Sequence, residues 1–213
     1  MAVAGLLTEP RWRLKAVIFD FGGVLMRTHD QSPRVKWEHA LALAPGAASQ
    51  IVFNSEMGRA AQMGQIDDAE LWRWVQARLG LDDTALAAFQ HDFFAGDRLD
   101  RALLAHIDRL RPRYVVGLLS NATSTARQVF TEKLDVAAHF DSLTISAEEG
   151  IMKPDPRIYR VALARAGVEA DQALFVDDFI ENVRGARRVG MPALHFTDPA
   201  AVREELAALT GVA

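Results

Sequence analysis

The stretch Val17-Ile18-Phe19-Asp20-Phe21-Gly22-Gly23-Val24-Leu25 decides the fold. Its first three residues are apolar and fit a strand that is buried on both faces, as the strands of a parallel sheet are. Asp20 follows directly and therefore lies at the carboxyl end of that strand, where open α/β sheets place their ligand sites. Gly22 and Gly23 allow a tight turn that brings backbone N–H groups close to a ligand. Asp20 is our candidate nucleophile, and we expect the later motifs to converge on it.

Four more apolar segments with strand character follow in the second half of the chain, at residues 114–119, 143–145, 173–176 and 193–196. Helical segments precede, separate and follow them, at about residues 101–110, 124–134, 155–166, 179–189 and 199–209. Strands that alternate with helices are typical of a parallel sheet covered on both faces. We therefore predict an α/β fold, with a Rossmann-like, five-stranded parallel sheet flanked by helices.

A long helical block separates the first strand from the second. Residues 33–95 carry helical signals and no strand signal; Gly80 can end one helix and Asp82 can cap the next. The block is far longer than a single crossover helix requires. We predict an all-helical cap of residues 32–96, inserted into a core made of residues 1–31 and 97–213.

The composition excludes several classes of function. Of 213 residues, 50% are hydrophobic and 24% charged, as in ordinary globular proteins, and the net charge of −4 argues against a nucleic-acid partner. There is no cysteine, which excludes disulfides and thiolate chemistry and suits a reducing compartment. No apolar stretch is long enough to span a bilayer, and residues 1–13 lack the pattern of a secretory signal. We expect a cytoplasmic protein with no membrane partner; the sequence leaves its oligomeric state open.

Polar side chains follow three of the predicted strands, and one rim of a parallel sheet gathers all of them. A loop after the third strand in chain order adds a lysine, which can reach across to that rim because the proline after it favours extended backbone. The groups brought together are Asp20, Ser120, Asn121, Lys153, Asp177 and Asp178.

The charges of this set predict its ligands. Three carboxylates that lie close together need counter-charges, and Lys153 supplies only one. Oxygen ligands from separate loops suit Mg²⁺, which commonly binds beside a phosphate. The metal and the lysine would let a phosphate dianion approach Asp20. The sequence therefore predicts a Mg²⁺ site and a small phosphorylated metabolite as the partner.

Four motifs in this order resemble those of the haloacid dehalogenase superfamily: FDFGGVL, LLSNAT, KPDPRIY and FVDDFIENVRGA. The resemblance covers almost the whole chain, and the helical block lies where subfamily IA of that superfamily carries its C1-type helical cap. The phrases SNA, ISAEEG and KPDPRIY are most similar to the group that contains the phosphatase domain of soluble epoxide hydrolases and the sugar-1-phosphate phosphatases.

The resemblance implies a role for each site residue. Asp20 would be the nucleophile that forms an aspartyl-phosphate, with Lys153 beside it. The implied metal ligands are Asp20, the Gly22 carbonyl and Asp178, with Asp177 bound to the ion or supporting a ligand. The implied phosphate ligands are Ser120, Asn121, Lys153 and backbone N–H groups near Phe21 and Gly22. Asn182 would brace the acidic pair from one helical turn further on.

One position departs from the family pattern. Most phosphatases of the superfamily carry an aspartate two residues after the nucleophile as general acid and base, and this chain has Gly22 there. A backbone carbonyl at that position is kept, but the proton-transfer group is lost, and such a group is typically worth about 10²–10⁴-fold in rate. We expect weak activity on poor leaving groups, or another acid such as His29.

Two other functions stay open at this point. The first is a 2-haloacid dehalogenase, which resembles the same fold and nucleophile, needs no metal and usually has a neutral acidic motif. The second is a module that binds a phosphorylated ligand or a protein without turnover, for which Gly22 is the support. Turnover by the wild type compared with Asp20→Asn separates enzyme from module, and halide release without added metal identifies a dehalogenase.

Overall fold

The computed structural model describes residues 14–212. Its strands are β1 (Ala16–Phe19), β2 (Met26–Thr28), β3 (Asp97–Leu99), β4 (Val115–Ser120), β5 (Ser142–Ile145), β6 (Ala173–Asp177) and β7 (Ala193–His195). Its α-helices are α1 (Ser32–Ala40), α2 (Ala47–Ser49), α3 (Glu56–Gln62), α4 (Asp68–Leu79), α5 (Asp83–Ala95), α6 (Arg101–Leu110), α7 (Ala126–Gln128), α8 (Ser146–Glu149), α9 (Pro156–Ala166), α10 (Ile180–Arg188) and α11 (Pro199–Thr210).

Five strands form one parallel sheet in the order β5-β4-β1-β6-β7, so β1 is its central strand. Successive residues of β1 alternate between the two faces. Val17 and Phe19 pack into an apolar cluster with α6 and α11, whereas Ala16 and Ile18 pack into a second cluster with α9 and α10. Burial on both faces explains why the strand is apolar throughout. The predicted α/β fold is confirmed.

The five predicted strands agree with the observed ones to within one residue at most ends. The predicted helix at residues 124–134 is wrong in form: the three-residue α7 is followed by a wider π-helical turn, Val129–Lys133. That turn carries Phe130, which is buried against the ring of Phe21 with 4.4 Å between ring centroids. A buried strand or a long amphipathic helix leaves a periodic pattern in the sequence. A single π-helical turn does not.

Helices α1 to α5 lie between β2 and β3, and we call residues 32–95 the helical insertion. The predicted helix end and helix cap are confirmed. Gly80 ends α4 in a left-handed conformation, and Asp82 caps α5 by accepting from the Ala85 N–H at 2.8 Å. The insertion has an apolar cluster of its own, centred on Val75, Phe89 and Phe93. Its treatment as a separate cap domain remains our proposal.

The two ends of the insertion are paired with each other, which the sequence analysis missed. Strands β2 and β3 form an antiparallel pair, in which Met26 lies opposite Leu99 and Thr28 opposite Asp97. The buried Arg34 donates to Asp97 at 3.0 Å and to the Phe93 carbonyl at 2.6 Å, tying the start of the insertion to its end. Within residues 14–212, no helix combines the length and apolarity needed to cross a membrane.

Candidate active site

Asp20 lies at the centre of the carboxyl edge of the sheet, where β1 ends. Its N–H donates to the Val176 carbonyl at 2.8 Å, which continues the sheet pairing up to the carboxylate. Asp20 is only 7% exposed, and its Oδ1 accepts from the N–H of Phe21 at 2.7 Å. The chain then turns sharply, since the N–H of Met26 donates back to the Phe21 carbonyl at 2.9 Å. The sheet and the turn together fix the carboxylate in one orientation.

Lys153 connects the candidate nucleophile to the acidic pair. Its Nζ lies 2.7 Å from Asp20 Oδ1 and 2.7 Å from Asp177 Oδ2, and it donates to the Leu119 carbonyl at 3.0 Å. The lysine side chain is 1% exposed. An ammonium buried this deeply is stable only when such partners surround it. The expectation that a loop lysine reaches across to the rim agrees with this geometry.

Asn121 holds the backbone of Lys153 from both sides. Its Nδ2 donates to the Lys153 carbonyl at 3.0 Å, and its Oδ1 accepts from the Lys153 N–H at 2.8 Å. The side-chain amide is therefore engaged in this structure, and the part of Asn121 that remains for a phosphate is its backbone N–H. The N–H of Phe21, also predicted to bind phosphate, is engaged as well, since it donates to Asp20.

Asp177 is fully buried and has partners on both oxygens. Oδ1 accepts from the Phe179 N–H at 2.7 Å, Oδ2 accepts from Lys153, and Asn182 Nδ2 lies 3.0 and 3.1 Å from the two oxygens. Asn182 thus contacts Asp177 in the way that was predicted for the acidic pair. Asp178 is less buried, and one oxygen from each of Asp20, Asp177 and Asp178 lies within 4.8 Å of the others.

The two glycines after Asp20 have different surroundings. Gly23 has a φ of +78°, and a Cβ built on it would lie 2.0 Å from Asp178 Oδ2, so any side chain there would displace that carboxylate. Gly22 has no atom within 4 Å of the corresponding point. Gly23 is therefore required by the approach of the acidic motif, whereas the position of Gly22 has room for a side chain.

The electrostatics of the rim favour a further cation. Burial raises the pKa of Asp20 to about 8; Lys153 opposes that rise, and Asp177 and Asp178 add to it. Burial, followed by the charge of Asp177, also raises the pKa of Asp178. Three carboxylates face one ammonium, so the fully ionised cluster would carry two uncompensated negative charges. A divalent cation would relieve both the crowding and the raised pKa values.

The remaining predicted residues divide between the rim and the insertion. Ser120 ends β4 on the rim and is 3% exposed. His29 is exposed, and its backbone N–H donates to the Gly96 carbonyl at 2.9 Å, beside the paired ends of the insertion. In the described part of the chain, no hydrogen bond or ion pair joins the His29 side chain to the three carboxylates. The structure thus gives no support to His29 as the substitute acid.

Tyr159 is a supporting residue that the sequence analysis missed. It is fully buried, and its hydroxyl donates to the Asn182 carbonyl at 2.8 Å. A Cβ on Gly185 would lie 2.5 Å from that hydroxyl, so this glycine allows α10 to approach α9 closely. Tyr159 is the last residue of the KPDPRIY motif, and that position was the available signal.

A parallel sheet with a buried Asp–Lys pair on its carboxyl edge and a helical insertion after the first strand defines a class of hydrolase. Residues 14–190 match the family described as haloacid dehalogenase-like hydrolase. The chain belongs to this family.

Curated relatives of the chain include phosphatases. It is 30% identical over 198 residues to sesquiterpene phosphatase astK of Aspergillus oryzae, covering 92% of this chain and 97% of the relative. It is 30% identical over 192 residues to phosphoglycolate phosphatase of Rhodospirillum rubrum, covering 84% and 78%. A shorter match, 33% identical over 89 residues, covers 16% of bifunctional epoxide hydrolase 2 of Rattus norvegicus. The chain is therefore an enzyme of a hydrolase family with phosphatases among its relatives.

Solved structures share the fold. A HAD family enzyme from Bacteroides thetaiotaomicron, in complex with magnesium and inorganic phosphate, superposes with a TM-score of 0.73 at 20% identity, over 89% of this chain and 98% of that one. A 2-haloacid dehalogenase from Pseudomonas syringae superposes with a TM-score of 0.58 at 20% identity, over 86% of both chains.

Proposed function

We propose that this protein is a Mg²⁺-dependent phosphohydrolase that acts on a small phosphorylated metabolite through an aspartyl-phosphate on Asp20. The observation that carries the proposal is the buried ion pair of Asp20 with Lys153 at 2.7 Å, inside a cluster of three carboxylates. The names of the relatives that match most of the chain support phosphate ester hydrolysis.

The residues fit a magnesium ion. The donors are oxygens, the cluster has surplus negative charge, and burial of Asp20 raises its pKa to about 8. We assign Asp20, Asp178 and the Gly22 carbonyl as ligands, and we assign Asp177 to a supporting role because both its oxygens have protein partners. A bound Mg²⁺ supplies charge that offsets the repulsion between the phosphate and these carboxylates.

The protein residues then carry out two displacements. A carboxylate oxygen of Asp20 attacks the phosphorus and forms the P–O bond of the aspartyl-phosphate, while the ester P–O bond breaks and its electrons leave with the alcohol oxygen. Lys153 holds Asp20 in place and adds positive charge where the phosphoryl oxygens gather. The Ser120 hydroxyl and the backbone N–H groups of Gly22 and Asn121 hold the remaining phosphoryl oxygens. Water then attacks phosphorus, the P–O bond to Asp20 breaks with its electrons on the carboxylate, and the water gives up a proton to solvent as inorganic phosphate leaves.

The absence of a carboxyl group at position 22 limits the range of fast substrates. The departing alcohol oxygen receives no proton from that position, so the first displacement is fastest for leaving groups of low pKa. Attack of water on the aspartyl-phosphate also lacks that base. We therefore expect the aspartyl-phosphate to accumulate when the leaving group is good.

Hydrolysis of p-nitrophenyl phosphate, with Mg²⁺ and with EDTA, tests the proposal. The wild type with Mg²⁺ is expected to turn over, and EDTA or Asp20→Asn is expected to reduce the rate by at least about 10⁴-fold. Asp82→Asn is the matched control and is expected to leave the rate unchanged. Asp82 is the N-cap residue of α5 in the insertion, and asparagine caps a helix as well as aspartate does.

Other outcomes would overturn the proposal in different ways. Halide release from a 2-haloacid in EDTA, without phosphatase activity, would make the protein a dehalogenase. Absence of both activities, with retained binding of a phosphate ester, would make it a binding module.

A further inference from the structure

A cavity of about 420 Å³ lies between the helical insertion and the core. One wall is formed by Arg59 and Met63, at the end of α3. The opposite wall is the loop of residues 150–155 with Arg157 at the start of α9. None of the activities or site roles described above uses this cavity.

The cavity adjoins the candidate nucleophile. Lys153 lines it and also contacts Asp20 through Nζ at 2.7 Å. Asn121 fixes the backbone of Lys153 through two hydrogen bonds, so this wall of the cavity has a defined position. The cavity is therefore separated from Asp20 by the length of one lysine side chain.

The wall formed by the insertion is also held in place. Gly64, just after α3, has a φ of +66°, and a Cβ built there would lie 2.2 Å from the Ala147 carbonyl, so the backbones of the insertion and the core are in close contact. Asp68, at the start of α4, accepts from the Thr125 N–H at 3.3 Å. These two contacts set the distance between Arg59 and the core loop.

Arg59 has an unbalanced charge in this cavity. Within residues 14–212 no carboxylate oxygen lies within 4 Å of its guanidinium, although the side chain is exposed. Arg157, by contrast, is paired with Asp155 at 2.7 Å. Since Lys153 is already balanced by Asp20 and Asp177, Arg59 is the cation of this lining that has no partner among the described residues.

The rest of the lining is apolar, from Met63, Ile151, Met152 and Pro154. A guanidinium can bind carboxylate or phosphate oxygens in bidentate form through charge-assisted hydrogen bonds. A cationic leaving group would be repelled by Arg59.

We propose that Arg59 binds an anionic group, carboxylate or phosphate, that belongs to the leaving group of the substrate. This inference rests on the proposed phosphohydrolase function and adds a substrate class to it: phosphate esters with a second negative charge.

Kinetics on paired substrates test the inference. 2-Phosphoglycolate carries a carboxylate, 1,3-propanediol bisphosphate carries a second phosphate, and ethyl phosphate carries neither. We expect Arg59→Gln to lower kcat/KM for the charged members by about 10–100-fold, the loss of one charge-assisted bond, and to change ethyl phosphate by less than about twofold. The two charged substrates distinguish the carboxylate from the phosphate as the group recognised.

Two further variants complete the design. Arg59→Lys keeps the charge and is expected to retain part of the preference. Arg78→Gln removes an exposed arginine from α4, which does not line the cavity, and is expected to leave all three substrates unchanged. An equal loss on all three substrates with Arg59→Gln, or no loss on any, would overturn the inference.

Binding separates this inference from the proposed function. Asp20→Asn removes the nucleophile, so calorimetric titration of that variant with 2-phosphoglycolate in Mg²⁺ reports binding alone. Adding Arg59→Gln is expected to weaken this binding by about 10–100-fold. Failure of the wild type to hydrolyse p-nitrophenyl phosphate refutes the proposed function, whereas equal binding by the single and double variants refutes the role of Arg59.

Discussion

Two ion pairs of similar length show how the rim of the core differs from the helical insertion. Lys153 lies 2.7 Å from Asp20 with a side chain that is 1% exposed, and Lys36 lies 3.0 Å from Asp92 with a side chain that is 70% exposed. Water screens the second pair and is absent from the first. The charges of the rim pair are therefore strongly coupled, whereas those of the exposed pair on the insertion are weakly coupled.

The apolar parts of the two regions differ as well. The sheet is covered on both faces by helices whose buried side chains are mainly aliphatic. The insertion is held together by rings: Phe89 lies 5.5 Å from Trp37, 5.8 Å from Phe93 and 6.4 Å from Trp72, measured between centroids. A helical unit with such a core can vary its outer side chains without disturbing the rim. We therefore propose that the rim carries the chemistry and that the surface of the insertion facing the rim sets the choice of substrate.

Replacing the lysine of each ion pair should give the largest difference in stability and in kcat between the two regions. Lys153→Met leaves Asp20 and Asp177 buried without their cation, so we expect a loss of about 3–5 kcal/mol in the free energy of unfolding and of at least about 10³-fold in kcat. Lys36→Met should cost no more than about 1 kcal/mol and leave kcat unchanged. Urea unfolding measures the loss of stability in both variants, and phosphatase assays measure the loss of kcat. Losses of similar size in the two variants would contradict the difference claimed between the buried and the exposed ion pair.

Gly22→Asp should restore the missing proton-transfer group, since the position has open space around it. We expect the rate on alkyl phosphates to rise by about 10²-fold, because the restored acid protonates their leaving group. The rate on p-nitrophenyl phosphate should rise as well, because the restored base speeds hydrolysis of the accumulated aspartyl-phosphate. Gly22→Asn has the same shape without the acid and is the control. If the dependence of rate on leaving-group pKa is the same for both variants, Gly22 is not the cause of that dependence.

Asn182→Ala should weaken metal binding. The amide donates to both oxygens of Asp177, and the loss of a residue that orients a metal site typically costs about 10–100-fold in affinity. Titration of activity with Mg²⁺ measures the change. Asn54→Ala, at an exposed position of the insertion, is expected to have no effect, and an unchanged Mg²⁺ requirement in Asn182→Ala would remove Asn182 from the site.

The smallest effect concerns His106, a residue of α6 that is only 2% exposed. Burial, followed by the charges of Arg109 and Arg203, lowers its pKa below the ordinary 6.5. Below that pH the unfolded chain takes up a proton that the folded chain resists, so stability falls as pH decreases, by up to about 1.4 kcal/mol per pH unit. His106→Leu should flatten this slope in unfolding experiments between pH 7.5 and 5.5. If the free energy of unfolding depends on pH with the same slope in the wild type and in His106→Leu, His106 is not the source of this pH dependence.

The sheet and the catalytic rim were predictable because their signals are local. Apolar runs such as residues 17–19 end in polar residues, and a parallel sheet brings those ends together whatever lies between them. Lys153 could be placed at the rim from its motif, and its contacts with Asp20 and Asp177 agree with that placement.

The remaining features depend on contacts between distant segments, which one sequence does not reveal. Strands β2 and β3 are three residues each and pair across the whole insertion. The two hydrogen bonds from Asn121 to Lys153 turn an expected phosphate ligand into a support for the loop. The cavity at Arg59 lies between the insertion and the core, which approach each other closely at Gly64 and Ala147. Each of these three features depends on a contact between segments that are distant in the sequence. Such contacts leave no periodic pattern in the sequence.

The most direct test of the central claim is a search for phosphate on Asp20. Wild-type protein with Mg²⁺ and p-nitrophenyl phosphate is quenched with acid during turnover, and the peptide that contains Asp20 is analysed by mass spectrometry. We predict a phosphoryl group on Asp20, at a level that falls in Gly22→Asp because the restored base speeds its hydrolysis. Steady turnover with no phosphoryl group on Asp20 at any quench time would contradict a covalent role for this residue.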